Sequence, residues 1–193
     1  MTLTTTVKSI GARLTMSEED VRALLKNDHN EVKDILKGLV EGGRGRSREA
    51  LLETLKKKLA AHSRAEEKVV YDALIRARAK QGAHVMAEEG YVEHGVIDDL
   101  LTRISRLDVG SEPWKAHAKV VREILEHHIS EEQNEIFAQL GDLFSREQLA
   151  NMGEEFSRHK AKMLAQRDAK KQRRGKASKA IAVASRRPRT GRR

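Results

Sequence analysis

The chain has 193 residues, 38% apolar and 35% charged, with two prolines and no cysteine, which sizes it as one domain with at most an appendage. Without cysteine there are no disulfides and no thiolates, so any bound metal must be held by nitrogen and oxygen. No apolar run approaches the roughly 18–20 residues that span a membrane, and Met1–Thr6 lacks the basic start and apolar core of a secretion signal. The expected location is cytoplasmic, with no membrane partner.

The net charge of +9 is unevenly spread. From Gln166 onward there are twelve Lys/Arg against one acid, which leaves a nearly neutral body of 26 basic and 28 acidic residues.

In chain order, residues 1–14 show no periodicity and read as a lead-in. Thr15 with Glu18 makes a capping box and predicts a helix from about Thr15 or Ser17. Its apolar stripe is Val21, Leu25, Val32, Leu36 and Leu39, with His29 inside it, and Gly42, Gly43 and Gly45 end it. A second helix is predicted from Ser47 to near Lys80, bending after Tyr71. Its stripe is Leu51, Leu55, Leu59, His62, Glu66, Val69 and Ala73. The third, over about 85–107, carries Tyr91, His94, Ile97, Leu101 and Ile104. The fourth, over about 112–140, starts at a Ser111 cap with Pro113 in its first turn. It carries Trp114, His117, Val121, Ile124, His128, Glu132, Ile136 and Leu140.

Ser145 and Gln148 make a further capping box before a short last helix, about 146–165, with Leu149, Met152, Phe156 and Met163 on one side. From 166 the chain is Lys/Arg/Ala/Ser-rich and free of aromatics, the composition of a disordered tail. The expected organisation is a lead-in over 1–14, a helical domain over 15–165 and a basic tail over 166–193. Four helices with short connections predict an all-α, antiparallel up-down-up-down bundle.

Two segments repeat. His62-Ser-Arg-Ala-Glu66 and His128-Ile-Ser-Glu-Glu132 each place a carboxylate four residues after a histidine, with an aromatic nine after it. Residues i and i+4 share a helix face, so each pair presents an imidazole nitrogen beside a carboxylate oxygen. Asp28-His29 is echoed by Glu93-His94, and counting helical rise puts all four histidines at one mid-bundle level. A lone histidine on an apolar stripe is usually a hydrogen-bonded core residue. Two buried carboxylates with no Lys or Arg on the same stripes are a different matter, since an uncompensated buried charge costs several kcal/mol. A divalent metal with imidazole ligands neutralises them. Six donors suit two ions when the carboxylates bridge, and imidazole with carboxylate suits iron.

The order His, His-x-x-x-Glu, His, His-x-x-x-Glu on four helices resembles the hemerythrin-like (HHE cation-binding) domain over about residues 20–160. The resemblance implies two iron ions with a bridging oxygen species. His29, His62, His94 and His128 would be terminal ligands, and Glu66 and Glu132 would bridge. It further implies a partner such as oxygen or another small diatomic or peroxide ligand, either bound and sensed or, in an enzyme, turned over. Oxygen-carrying hemerythrins have a fifth histidine on the third helix, four residues after the first; Asp98 stands there. Asp98 is accordingly a candidate ligand, a candidate partner of a ligand histidine, or a surface residue. The ferritin-like alternative needs Glu-x-x-His, and no histidine of this chain has Glu three residues before it.

Lys170, Lys171, Arg173, Arg174, Arg186 and Arg187 mark two basic clusters suited to nucleic-acid phosphates, non-specifically and with strong salt dependence. A solvated tail without a dedicated partner is the plainer reading.

Overall fold

The computed structural model describes residues 20–42, 47–77 and 81–185, and among these there are five helices and no strand. Helix α1 is Val21–Glu41. Helix α2 covers 48–76, α-helical over Arg48–Glu66 and Asp72–Arg76 with a π-helical turn, Glu67–Tyr71, between them. Helix α3 is Gln81–Ile104. Helix α4 covers 112–143, with its own π turn at Glu132–Ile136 between Glu112–Glu131 and Phe137–Leu143. Helix α5 is Arg146–Ser185.

Caps fix most of the ends. The Asp20 carboxylate accepts from the Arg22 N–H at 2.9 Å and starts α1. The expected capping box at Thr15–Glu18 lies outside the described residues, as do the lead-in, Gly43 and Gly45. Gly42 closes α1 in the left-handed region, at φ 67°, where a Cβ would be strained. Ser47 and Ser111 cap α2 and α4 through the N–H groups of Ala50 and Trp114. Ser145 and Gln148 form the expected reciprocal capping box, with bonds of 2.8 and 3.3 Å.

Two apolar clusters fill the bundle. One joins Val32, Leu36 and Leu39 of α1 to Leu52–Leu59 of α2, Ile97–Ile104 of α3 and Trp114–Ile129 of α4. The other joins Val21, Leu25, Val69, Tyr71, Leu74, Ala87, Ile136 and Leu140. In α1 and α3 the histidine falls between early and late cluster members, and in α2 and α4 the order is reversed. That pattern is the antiparallel four-helix bundle, with a polar layer at mid-height. Helix α5 packs against α1 and α2 and closes the second cluster with Leu149, Met152 and Phe156.

Two expectations need correction. Helix α5 does not stop near 165 but continues through the basic segment to Ser185. Ala, Lys, Arg and Gln dominate that stretch, all strong helix formers, and the next proline is Pro188. Beyond Glu66 the buried face of α2 also shifts. Val70, Tyr71 and Leu74 are fully buried while Ala73 is only half-buried. Five residues of α-helix would turn Tyr71 about 140° away from Glu66. The wider π turn, whose closing bond runs from the Asp72 N–H to the Glu67 carbonyl, carries Tyr71 back over the interior.

Candidate metal centre

His29, His62, His94 and His128 are 2–6% exposed, and Glu66 and Glu132 at most 1%. Glu66 is the last α-helical residue before the first π turn and Glu132 opens the second, and i, i+4 spacing sets each carboxylate beside the histidine of its own helix. All four Nε2 atoms converge. His29 Nε2 is 3.1 Å from Glu132 Oε2, His62 Nε2 is 3.3 Å from Glu66 Oε2, and His94 Nε2 is 3.2 Å from His128 Nε2. His94 and His128 Nε2 lie 3.6 and 3.7 Å from Glu66 Oε2 and Glu132 Oε2.

The outward nitrogens are all engaged, in a pattern that follows the repeat. Asp28 Oδ2 accepts from His62 Nδ1 at 3.1 Å, and Glu93 Oε2 from His128 Nδ1 at 2.6 Å. Glu67 Oε1 accepts from His94 Nδ1 at 3.1 Å, and the Gln133 side chain meets His29 Nδ1 at 3.0 Å. The residue before each lone histidine thus holds the histidine of its own hairpin's His-x-x-x-Glu. The residue after each glutamate holds a lone histidine. A carboxylate on Nδ1 leaves Nε2 free as a lone-pair donor.

The aromatics nine residues after each His-x-x-x-Glu histidine flank the same rings. Tyr71 stacks on His94 at 5.6 Å and Phe137 on His29 at 6.4 Å. The Tyr71 hydroxyl also donates to Glu132 Oε1 at 2.6 Å. On the α5 side, Phe156 stands edge-on to His62 at 5.8 Å, and Lys160 donates to Asp28 Oδ1.

The ionisable groups packed into this layer shift one another strongly. Burial and then Glu132 push the Glu66 carboxyl up to about 8. Burial lowers His62, but Glu66 and Asp28 outweigh it and hold the imidazolium up to about 10. His128 is likewise lowered by burial and raised further by Glu132 and Glu93, to about 9. For His29 and His94 burial wins, and both fall. Despite the crowding, His29 Nε2, both Glu66 oxygens and Glu132 Oε2 are buried without a hydrogen-bond partner. Orphaned atoms of this kind, all of them ligand types, fit a metal pair. One group of donors is His29, His62, Glu66 and Glu132; a second is Glu66, His94 and His128, with all atoms of each group within 4.8 Å of one another.

The other expected residues fall elsewhere. Asp98 does not join the centre: its side chain is 52% exposed and pairs with Arg64 at 3.7 Å. Ile97 and Leu101, three and seven residues after His94, take the inward positions and turn Asp98 to the flank. Tyr91 of the α3 stripe donates to Asp72 Oδ1 and to the Glu67 carbonyl. Lys170 and Arg173 lie exposed on α5; Arg186 and Arg187 lie outside the described residues. No helix is long and apolar enough to cross a membrane among the described residues.

The sequence profile of the hemerythrin HHE cation-binding domain matches residues 20–140. The chain belongs to that family. A hemerythrin HHE cation-binding domain protein from Mycobacterium kansasii shares the fold, with a TM-score of 0.65 at 20% identity, covering 77% of this chain and 89% of that one. A DNA nickase from Nostoc sp. is 24% identical over 159 residues, covering 80% of this chain. This hemerythrin-family chain spans 44% of that relative's length.

Proposed function

We propose that this chain is a non-haem di-iron protein that binds or senses oxygen or a related small ligand such as nitric oxide or peroxide. The observation that carries the reading is the convergence of four buried Nε2 atoms on two carboxylates whose inward oxygens have no partner. His29, His62, His94 and His128 would be terminal ligands and Glu66 and Glu132 bridges. Iron held there supplies a redox-active Lewis acid for the small ligand.

The protein's own residues make the two halves unequal. The His29–His62 half is covered by Phe137, Phe156 and the Lys160–Asp28 pair. The His94–His128 half has fewer donors and borders a partly open cavity to which Tyr71, His128 and Glu132 contribute. A small ligand therefore reaches the second half. Tyr71, already donating to Glu132, is the residue placed to hold a proton there. The same arrangement supports a second reading, turnover of peroxide or nitric oxide.

The test is iron content and optical spectrum of anaerobically purified protein, before and after air. Two irons per chain and a charge-transfer band that appears in air are expected; no iron, or a single zinc, would remove the redox reading.

A nucleic-acid role for the basic end of α5 is supported by its charge and by the likeness to a relative named for DNA nicking. Changing Lys170, Arg173 and Lys176 to Gln should weaken DNA retardation and flatten its salt dependence. Equal retardation would remove this role.

A further inference from the structure

The cavity beside the His94–His128 half is walled by carboxylates. Glu89 and Glu93 of α3 face Glu131 and Glu135 of α4 across its mouth, with Glu132 and His128 at its floor and Met86, Gly90, Ile136 and Tyr71 between. No Lys or Arg lines it, and among the described residues none pairs with Glu89, Glu131 or Glu135. The contrast is the groove formed by Lys33, Asp34, Lys37, Glu41, Arg122 and Glu126, where the charges alternate in sign.

Two of the lining carboxylates, Glu93 and Glu131, form a group with the exposed His127 beside the cavity. Glu93, His127 and Glu131 each offer one ligand atom within 4.8 Å of the others, and His127 Nε2 already lies 3.2 Å from Glu131 Oε1. Independently of this cluster, Glu132, 1% exposed with Oε2 unpartnered, stands in the floor of the same cavity. Glu93 belongs to both levels. One oxygen holds His128 Nδ1 at 2.6 Å, and its side chain remains 17% exposed.

We propose that this carboxylate-lined cavity is the route by which a divalent cation loads the centre, with Glu93, His127 and Glu131 as its outer stopping point. A cleft lined by one sign of charge raises the local concentration of the opposite ion and its entry rate. A cation drawn in by Glu89 and Glu135 meets the outer donors first. Glu132 Oε2 and the convergent Nε2 atoms of His94 and His128 then offer it a more enclosed shell. The outer donors are two carboxylates and one exposed imidazole, a weaker and more hydrated set, so the ion passes inward. The inference rests on the metal reading above.

The experiment is stopped-flow loading of metal-free, full-length protein with cobalt(II) under anaerobic conditions at low and high salt. The probe is the metal alone, followed by its visible absorption, with the final stoichiometry measured separately. The triple variant Glu89→Gln, Glu131→Gln, Glu135→Gln should load about ten-fold more slowly at low salt and lose most of its salt dependence, with the same final stoichiometry. A control that removes the same charge elsewhere, Asp34→Asn, Glu41→Gln, Glu126→Gln, should load at the parent rate. An unchanged rate in the first variant, or an equal slowing in the control, would overturn the route. The single change Glu131→Gln, on the exposed rim, gives the same comparison should the triple variant melt early. No metal bound by the parent protein would overturn the metal reading and the route with it; normal stoichiometry with unaltered kinetics would overturn the route alone.

Discussion

The Tyr71 hydroxyl donates to Oε1 of Glu132 at 2.6 Å, while Phe137, its counterpart in the second repeat, can donate nothing to Glu66. One carboxylate of the centre is thus restrained by the protein and the other is left with both oxygens unpartnered. In the metal-free protein, Tyr71→Phe keeps the ring on His94 but strips Glu132 of its donor. A loss of roughly 1.5–3 kcal/mol in urea unfolding is expected, the range for hydrogen bonds to charged groups. Two-metal occupancy should survive. Unchanged stability would mean that the bond contributes nothing.

Gly90 makes room for that tyrosine. A Cβ at position 90 would approach the Tyr71 ring and hydroxyl to 2.5 Å. Gly90→Ala should therefore displace the buried ring and cost about 1–3 kcal/mol, as overpacking does, despite the better helix propensity of alanine. Thermal melting measures it, and a melting temperature equal to or above the parent's would show that Tyr71 has space to move.

The ligand roles separate cleanly by mutation. Glu66→Ala and Glu132→Ala should each abolish two-metal occupancy, and full occupancy in both would rule out bridging. Asp28→Asn leaves the ligands in place but weakens the hold on His62, so metal affinity should fall about 10–100-fold in a chelator competition. Asp98→Ala, on the surface beside Arg64, should leave affinity unaltered. A large drop there would return Asp98 to the centre.

Metal binding should release protons. In the metal-free protein the touching Glu66–His62 pair, with the carboxyl pushed up and the imidazole held up, shares protons at neutral pH, and His128, raised to about 9, holds its own. A metal needs the deprotonated forms, so affinity rises with pH through this window and falls as the groups protonate below it. Loading zinc in weakly buffered solution at pH 7 with an indicator dye should show net acidification. No proton release would contradict the protonated metal-free cluster.

The bundle and the six clustered residues were legible because i, i+4 spacing and helical rise are local rules that the chain obeys up to Glu66 and Glu132. Past those residues it stops obeying them. Ala73 appears on the extrapolated stripe of α2, and the π turn puts Leu74 inside instead. Asp98 was open between the centre and the surface, and it lies beside Arg64 because Ile97 and Leu101 take the inward positions of α3. The supporting residues Asp28, Glu67, Glu93 and Gln133 carried a signal, since each adjoins a clustered residue in both repeat copies. Tyr71 carried one too, as the aromatic of its repeat. Lys160 carried none, because its contact with Asp28 spans 132 positions and depends on how α5 docks.

The π turns also say where the chain can gain or lose a residue. Each holds one more residue than the α-helix that would replace it. Deleting one residue from the exposed side of the first turn, such as Lys68, would let α2 close into a straight α-helix and leave everything beyond in its present orientation, because four residues of α-helix turn about 40° where five turn about 140°. Tyr71 would stay over Glu132, and Leu74 in its cluster. Adding a residue there, or closing the turn to α-helix with no deletion, would instead rotate the rest of the helix by about 100°. Length variation among relatives of this chain should therefore include single-residue losses at the two π turns, each straightening its helix, beside freer variation in connections such as 105–111.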